Sequence, residues 1–302
     1  MSTPIETIIS HQSAVSSQQS ADLKPNSEEQ ILAENGFYWR EKDGVKVLVC
    51  KKLEENGFVN GFSTRLGGVS PFPENSLNLA GFDEDTGTNI WENRRRFLNC
   101  FDEKFVLGTV WQIHSDLVEI LHDEDELFDF DNRRADAIVS KIKDVLIGVK
   151  TADCVPILIG DTKTGAYSAI HAGWRGTVES IVVKAIEKMK TNFGTRSEDL
   201  VCAIGPAATC ENYEIGQDVI DAFAKNFPNS EHLFQKTREG HAKIDLHLAN
   251  QEQLLSVGVK LENIDVAPFC TMERIDLFFS YRVEKRKFGK TGRLMSVIGR
   301  KN

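Results

Sequence analysis

Apolar residues crowd into short runs through the middle of the chain. Val145-Leu146-Ile147-Gly148-Val149 and Val155-Pro156-Ile157-Leu158-Ile159 are rich in β-branched side chains and bounded by turn residues, the pattern of buried strands. The same reading predicts strands at 105–113, 117–121, 136–140, 145–151, 155–160, 166–171, 200–205, 263–268 and 293–299. Helical spacing of apolar residues predicts helices at 88–100, 176–191, 216–227 and 244–257. The second of these carries Val178, Ile181, Val182, Ala185, Ile186 and Met189 along one face. Gly160-Asp161-Thr162-Lys163-Thr164-Gly165 joins two strands and reads as a hairpin turn. The pattern predicts an α+β fold: mixed β-sheets with helices packed on the outside. From Phe58 onward no linker, repeat or low-complexity block appears, so residues 31–302 read as a single domain.

The first 30 residues behave differently. They hold seven serines, no arginine and few large apolar side chains, so they cannot bury enough surface to offset ordering entropy. A disordered tail over 1–30 is expected. It lacks the basic start and apolar core of a secretory signal, and its acids argue against a mitochondrial one. Its serines leave a plastid-type signal open. Net charge is −9, from 36 basic against 45 acidic residues, which argues against a nucleic-acid partner. Apolar runs fall far short of the roughly 20 residues of a membrane helix. The six cysteines form no CxxC pair and no disulfide scaffold. A cytoplasmic protein is expected, its oligomeric state open.

Three possible metal ligands fall at corresponding places. His114, Cys154 and His171 each stand at or just past the end of a predicted strand. If those ends are neighbours, the trio makes a three-ligand zinc site with a fourth position open, as catalytic zinc sites have. Spacing alone leaves the plainer readings in place: a cysteine used as a small core hydrophobe and histidines capping loops. His122, His232, His241 and His247 lack such a context and read as surface or capping residues. His171-Ala172-Gly173-Trp174-Arg175-Gly176-Thr177 is a strand-turn-helix passage whose glycines and Arg175 suit an anion, or else simply a tight turn. Arg65, in Ser63-Thr64-Arg65-Leu66-Gly67-Gly68, offers a second cation. The basic stretch Arg282 to Lys301 reads as a solvated face, with Ser280, Tyr281 and Arg282 better placed for contact.

Several of these stretches occur together, and in one order, in a known family. They are TRLGGVS (64–70), SLNLA (76–80), WQIHS (111–115), ADAIVS (135–140), TADCVPILIGD (151–161), HAGWRGTV (171–178), AIGPAATCENYEIG (203–216), KIDLHLAN (243–250), CT (270–271), SYR (280–282) and TGR (291–293). From about residue 57 to its end the chain resembles the YfiH-like family, long labelled multicopper polyphenol oxidase or laccase domain and assigned zinc-dependent purine nucleoside phosphorylase activity. The resemblance implies zinc ligands at His114, Cys154 and His171. It also implies phosphorolysis of adenosine, inosine, guanosine or S-methyl-5′-thioadenosine, together with adenosine deamination. On that basis Arg175 and Arg65 are assigned to phosphate or the ribose end, and Asp153 to proton transfer or to orienting the neighbouring thiolate. Ser115, Val283, the longer loop 284–290 and a single Gly-Pro within 203–212 depart from the family pattern around the pocket rim. Two alternatives remain: a cysteine hydrolase or peptidoglycan-editing enzyme with Cys154 as nucleophile and His171 as base, and a polyphenol oxidoreductase using Cu2+.

Overall fold

Apolar strands with two buried faces need cover on both sides, and the chain supplies it by stacking two six-stranded sheets between helices. In this computed structural model, which describes residues 27–80, 85–101, 104–227 and 229–302, the first sheet runs β1 (Phe37–Lys42), β2 (Val45–Cys50), β3 (Phe58–Ser63), β17 (Leu294–Arg300), β9 (Val145–Thr151), β6 (Val106–Thr109). The second runs β16 (Ile264–Val266), β12 (Leu200–Ile204), β10 (Val155–Asp161), β11 (Tyr167–Ala172), β8 (Ala137–Ser140), β7 (Val118–Leu121). Pairing is antiparallel except at β6–β9, β7–β8 and β12–β16, so both sheets are mixed. A small sheet of β13 (Glu214–Gly216), β15 (His241–Ile244) and β14 (Phe234–Arg238) and a short pair, β4 (Ser70–Pro71) with β5 (Glu74–Ser76), lie outside the stack.

The helices are α1 (Glu28–Glu34), α2 (Lys51–Glu55), α3 (Gly87–Asn99), α4 (Leu127–Phe130), α5 (Trp174–Val178), α6 (Ile181–Phe193), α7 (Gln217–Asn226), α8 (Leu246–Ser256) and α9 (Arg286–Phe288). Strand alternation assigns the core to three layers. On β10, Ile157 and Ile159 pack with α6, α7 and α8, while Leu158 faces the other sheet. Phe58, Phe62, Val145, Ile147 and Val149 of the first sheet meet Ile138, Leu158, Tyr167 and Ala203 of the second. The far face of the first sheet, with Val47, Leu146 and Val297, is covered by Phe97 of α3. Each such large side chain withdrawn from water contributes about 1.5–3 kcal/mol.

Most of the expected elements form, and the differences have local causes. The strand predicted over 105–113 ends at Thr109, because 110–117 crosses from one sheet to the other. The helix predicted over 176–191 is two helices: α5 stops at Val178 and α6 begins at Ile181, with Ser180 left-handed at φ 61 between them. The expectation of disorder over residues 1–26 lies outside the described residues. Residues 28–30 of that predicted tail are instead the first turn of α1. Ser27 and Gln30 form a capping box there, and Glu28 binds Trp39 Nε1 at 2.9 Å and Arg274 at 2.8 Å. His247 is also a correction, because it is buried in α8 and its Nε2 donates to Gly205 O at 3.1 Å. Burial holds its imidazole below the usual histidine range.

Candidate metal centre

Two crossings between the sheets occur at the same end of the stack. Residues 110–117 lead from β6 to β7, and 152–154 lead from β9 to β10. His114 lies on the first crossing and Cys154 on the second. His171 lies near the end of β11, paired with Pro156 beside the start of β10. The structure brings the trio together: their ligand atoms all lie within 4.8 Å of one another. The rings of His114 and His171 meet edge to face, with centroids 4.8 Å apart.

One carboxylate organises two of the three. Asp136, just before β8, is fully buried and holds His171 Nδ1 at 2.8 Å. It also accepts from the backbone N–H groups of Ile113 at 3.3 Å, His114 at 3.0 Å and Ser115 at 2.6 Å, and from the Ser115 hydroxyl at 2.7 Å. These bonds hold His114 in the left-handed region, φ 58, which a histidine reaches only with such support. Burial works against charge on Asp136, yet His171 and Ser115 outweigh it and keep the carboxyl below its usual range. Asp136 fixes the His171 tautomer and leaves the other ring nitrogen for a ligand. The sequence reading missed it. Its signals are an acid at the head of an apolar strand and its place in the ADAIVS stretch, neither of which points to His171.

The residues fit a metal ion. Burial would push the Cys154 thiol up, but the imidazoles of His171 and His114 bring it below its ordinary value. Burial would lower His171, but the Cys154 thiolate and Asp136 hold it above the usual histidine range. A thiolate facing two imidazoles is a donor set for borderline-soft metals. Gly173 keeps the face of the cluster open. A Cβ there would lie 3.1 Å from Cys154 Sγ and 3.4 Å from His114 Cδ2.

The other expected site residues are placed around this cluster in different ways. Asp153, left-handed at φ 85, precedes Cys154, and its carboxylate is buried. It accepts from Thr271 Oγ1 at 2.7 Å, Ser280 Oγ at 3.0 Å and the Arg282 N–H at 2.6 Å, while burial pushes its carboxyl up. Arg65 is buried too. It donates to Ile275 O at 2.6 Å, Phe278 O at 3.2 Å and Glu284 at 2.9 Å, and Glu284 in turn accepts from the Ser280 N–H at 3.1 Å. Its guanidinium therefore ties down the segment that grips Asp153. Arg175 is exposed, its Cζ 4.3 Å from the centre of the Trp174 ring, with no ion pair among the described residues. Tyr213, half-buried, packs under Arg282 at 4.8 Å; burial and the negative charges of Cys154 and Asp153 push its phenol up to about 12. Trp111, Ile113 and Leu117 expose apolar surface around His114.

The sequence model of the family described as multi-copper polyphenol oxidoreductase laccase matches residues 59–301. The chain belongs to this YfiH-like family. Among its curated members, a purine nucleoside phosphorylase of Staphylococcus epidermidis is 35% identical over 250 residues, covering 80% of this chain and 91% of the relative. One of Bacteroides thetaiotaomicron is 41% identical over 165 residues, which span 54% of this chain and only 60% of the relative. A family fold of the same kind is seen in YfiH of Bacillus licheniformis, with TM-score 0.80, 28% identity, and coverage of 88% of this chain and 100% of that one.

Proposed function

We propose that this family member is a zinc-dependent purine nucleoside phosphorylase. It cleaves adenosine, inosine, guanosine or S-methyl-5′-thioadenosine with phosphate, and it deaminates adenosine. The observation that carries the reading is the gathered His114–Cys154–His171 trio: three protein ligands beside the open face at Gly173 leave room for substrate. The phosphorylase names of the relatives support the same substrate class. Zinc suits one N, S, N donor set, whereas a multicopper oxidase also needs a histidine-rich cluster that has no counterpart among the described residues. When bound, the ion supplies Lewis-acid polarisation and activates water near neutral pH.

The chain's own residues do the rest. Arg175, stacked on Trp174 and without an acidic partner among the described residues, offers its charge to phosphate at the rim. Tyr213 stays protonated and can donate to a ring nitrogen of the purine as it leaves. Arg65 and Asp153 act by position: through Glu284 and Ser280 they hold the wall that faces the ligands. Trp111 and Ile113 offer apolar surface to a flat heteroaromatic ring. The test is metal content of protein purified without chelator, together with phosphate-dependent release of base from nucleosides. Stoichiometric zinc and ribose 1-phosphate formation are expected; protein with zinc and no nucleoside turnover defeats the reading.

One arrangement favours a second reading. Cys154, His171 and Asp136 also stand in the order of a nucleophile, its base and an orienting acid. A cysteine hydrolase predicts a thiol alkylated with metal still bound, whereas a ligating thiolate is protected until a chelator removes the ion.

A further inference from the structure

The parallel ladder between β6 and β9 pairs Val106 with Val145, Leu107 with Leu146, Gly108 with Ile147 and Thr109 with Gly148, and there it stops. In the same register Val110 and Trp111 would come next, against Val149 and Lys150. The chain instead leaves the sheet: Trp111 N–H donates to Arg133 O at 2.8 Å, and Trp111 O accepts from Ala135 N–H at 3.2 Å. β9 itself continues to Thr151, so Lys150 needs partners for the backbone groups that β6 no longer meets. Gln112 supplies them. Its Oε1 accepts from Lys150 N–H at 2.7 Å, and its Nε2 donates to Lys150 O at 2.7 Å. A primary amide carries an acceptor and a donor side by side, the complement of the N–H and carbonyl that one residue presents at a strand edge. The Lys150 side chain returns along the same edge, its ammonium donating to Val110 O at 3.1 Å. Residues 110–112 are thus fastened to β9 at both ends.

We infer that Gln112 is a positioning residue of the metal centre, tying His114 to the strand that leads into Cys154. Gln112 stands two residues before His114, and Lys150 four before Cys154. The tie complements Asp136, which receives the backbone N–H groups of 113–115 and holds the ring of His171. His114 is therefore fixed from both sheets, against Cys154 through Gln112 and against His171 through Asp136. Of the side-chain contacts to β9, those of Gln112 are the closer to His114 along the chain. Its amide is bonded at both its oxygen and its nitrogen, so it cannot turn without losing one bond. Outer partners that aim a ligand govern metal affinity even though they never touch the ion. The inference rests on the reading of the trio as a metal centre.

Two variants of the full-length protein test it. Gln112→Met keeps the bulk and loses both bonds. Gln112→Glu keeps the length and the bond to Lys150 N–H but sets an oxygen against the Lys150 carbonyl. Zinc affinity, measured by competition with a chelating dye, should fall about tenfold or more in both. Loaded with cobalt instead, both variants should keep the sulfur-to-metal absorption of Cys154, while the ligand-field bands change as His114 loses its place. In the metal-free protein, amide hydrogen exchange should quicken at 113–115 and stay as in the wild type along β10, β11 and β12. Wild-type zinc affinity in either variant overturns the inference. So does a loss of protection spread over both sheets, the mark of a general support for the fold. Failure of the metal-centre reading looks different: the wild type itself takes up no zinc, and the inference falls with it.

Discussion

Asp136 and Cys154 carry the sharpest expectations at the scale of single residues. Asp136→Asn keeps the shape of the side chain but removes the charge that orients His171 and receives the 113–115 backbone. Outer partners of this kind typically change metal affinity by about 10–100-fold, so zinc affinity measured by competition with a chelating dye should fall by that amount. Cys154→Ala and His171→Ala should lose most of their metal and both activities while keeping their circular dichroism. Stoichiometric zinc in Cys154→Ala, measured by mass spectrometry, would sink the ligand assignment. Of these residues only the ligands could be suspected from the chain itself, as chemistry-bearing side chains at strand ends. Asp136 lies 35 positions from the histidine it holds, and no local spacing connects them.

Elements enter through the segments that wall the site. The turn over 280–285 is held from behind by Arg65, whose buried ion pair with Glu284 is 2.9 Å long. Arg65→Met strands Glu284 in the interior, and breaking a buried pair from one side costs about 3–5 kcal/mol. Urea unfolding should show a lower midpoint with an unchanged slope; a cost under about 1 kcal/mol, as for a surface pair, contradicts the role. The start of α5 makes a different demand. Gly173→Ala introduces a Cβ into the ligand face, 3.1 Å from Cys154 Sγ, with φ at −70 and no backbone strain. Metal affinity should therefore fall with little change in stability. Wild-type zinc affinity in that variant would show that the face is not used.

Proton balance is a property of the whole molecule. In the metal-free protein, Cys154 is held toward thiolate and His171 toward imidazolium, each by the other's charge and His171 also by Asp136. A metal needs the neutral imidazole, so loading at pH 7 must expel about one proton. Affinity should then rise about tenfold per pH unit until pH passes the raised His171 pKa, and level off above it. A pH-independent affinity, or no proton release in buffers of different ionisation heat, contradicts the pairing. Chelation should leave unfolding cooperative, because the ligands hang on two sheets whose cores form without them.

How much of this was legible in the chain follows from the range of the forces. Strands β8 to β12 and helices α3, α7 and α8 were legible because their apolar periodicity is local. β1 to β3 were not: β1 is an edge strand carrying Arg40, Glu41 and Lys42, and β3 is interrupted by Asn60 and Gly61. Asn60 earns its buried place only by bonding both backbone groups of Cys50, at 2.9 Å and 3.0 Å. By itself the sequence determined the apolar period of the central strands, the hairpin turn at 160–165 and three candidate ligands at strand ends. The tertiary structure decided that two crossings between sheets end at the same corner as β11, and that Arg65 faces inward to Glu284. Those outcomes depend on which strands pair across long stretches of chain, and burial rewards that pairing only once the sheets have packed.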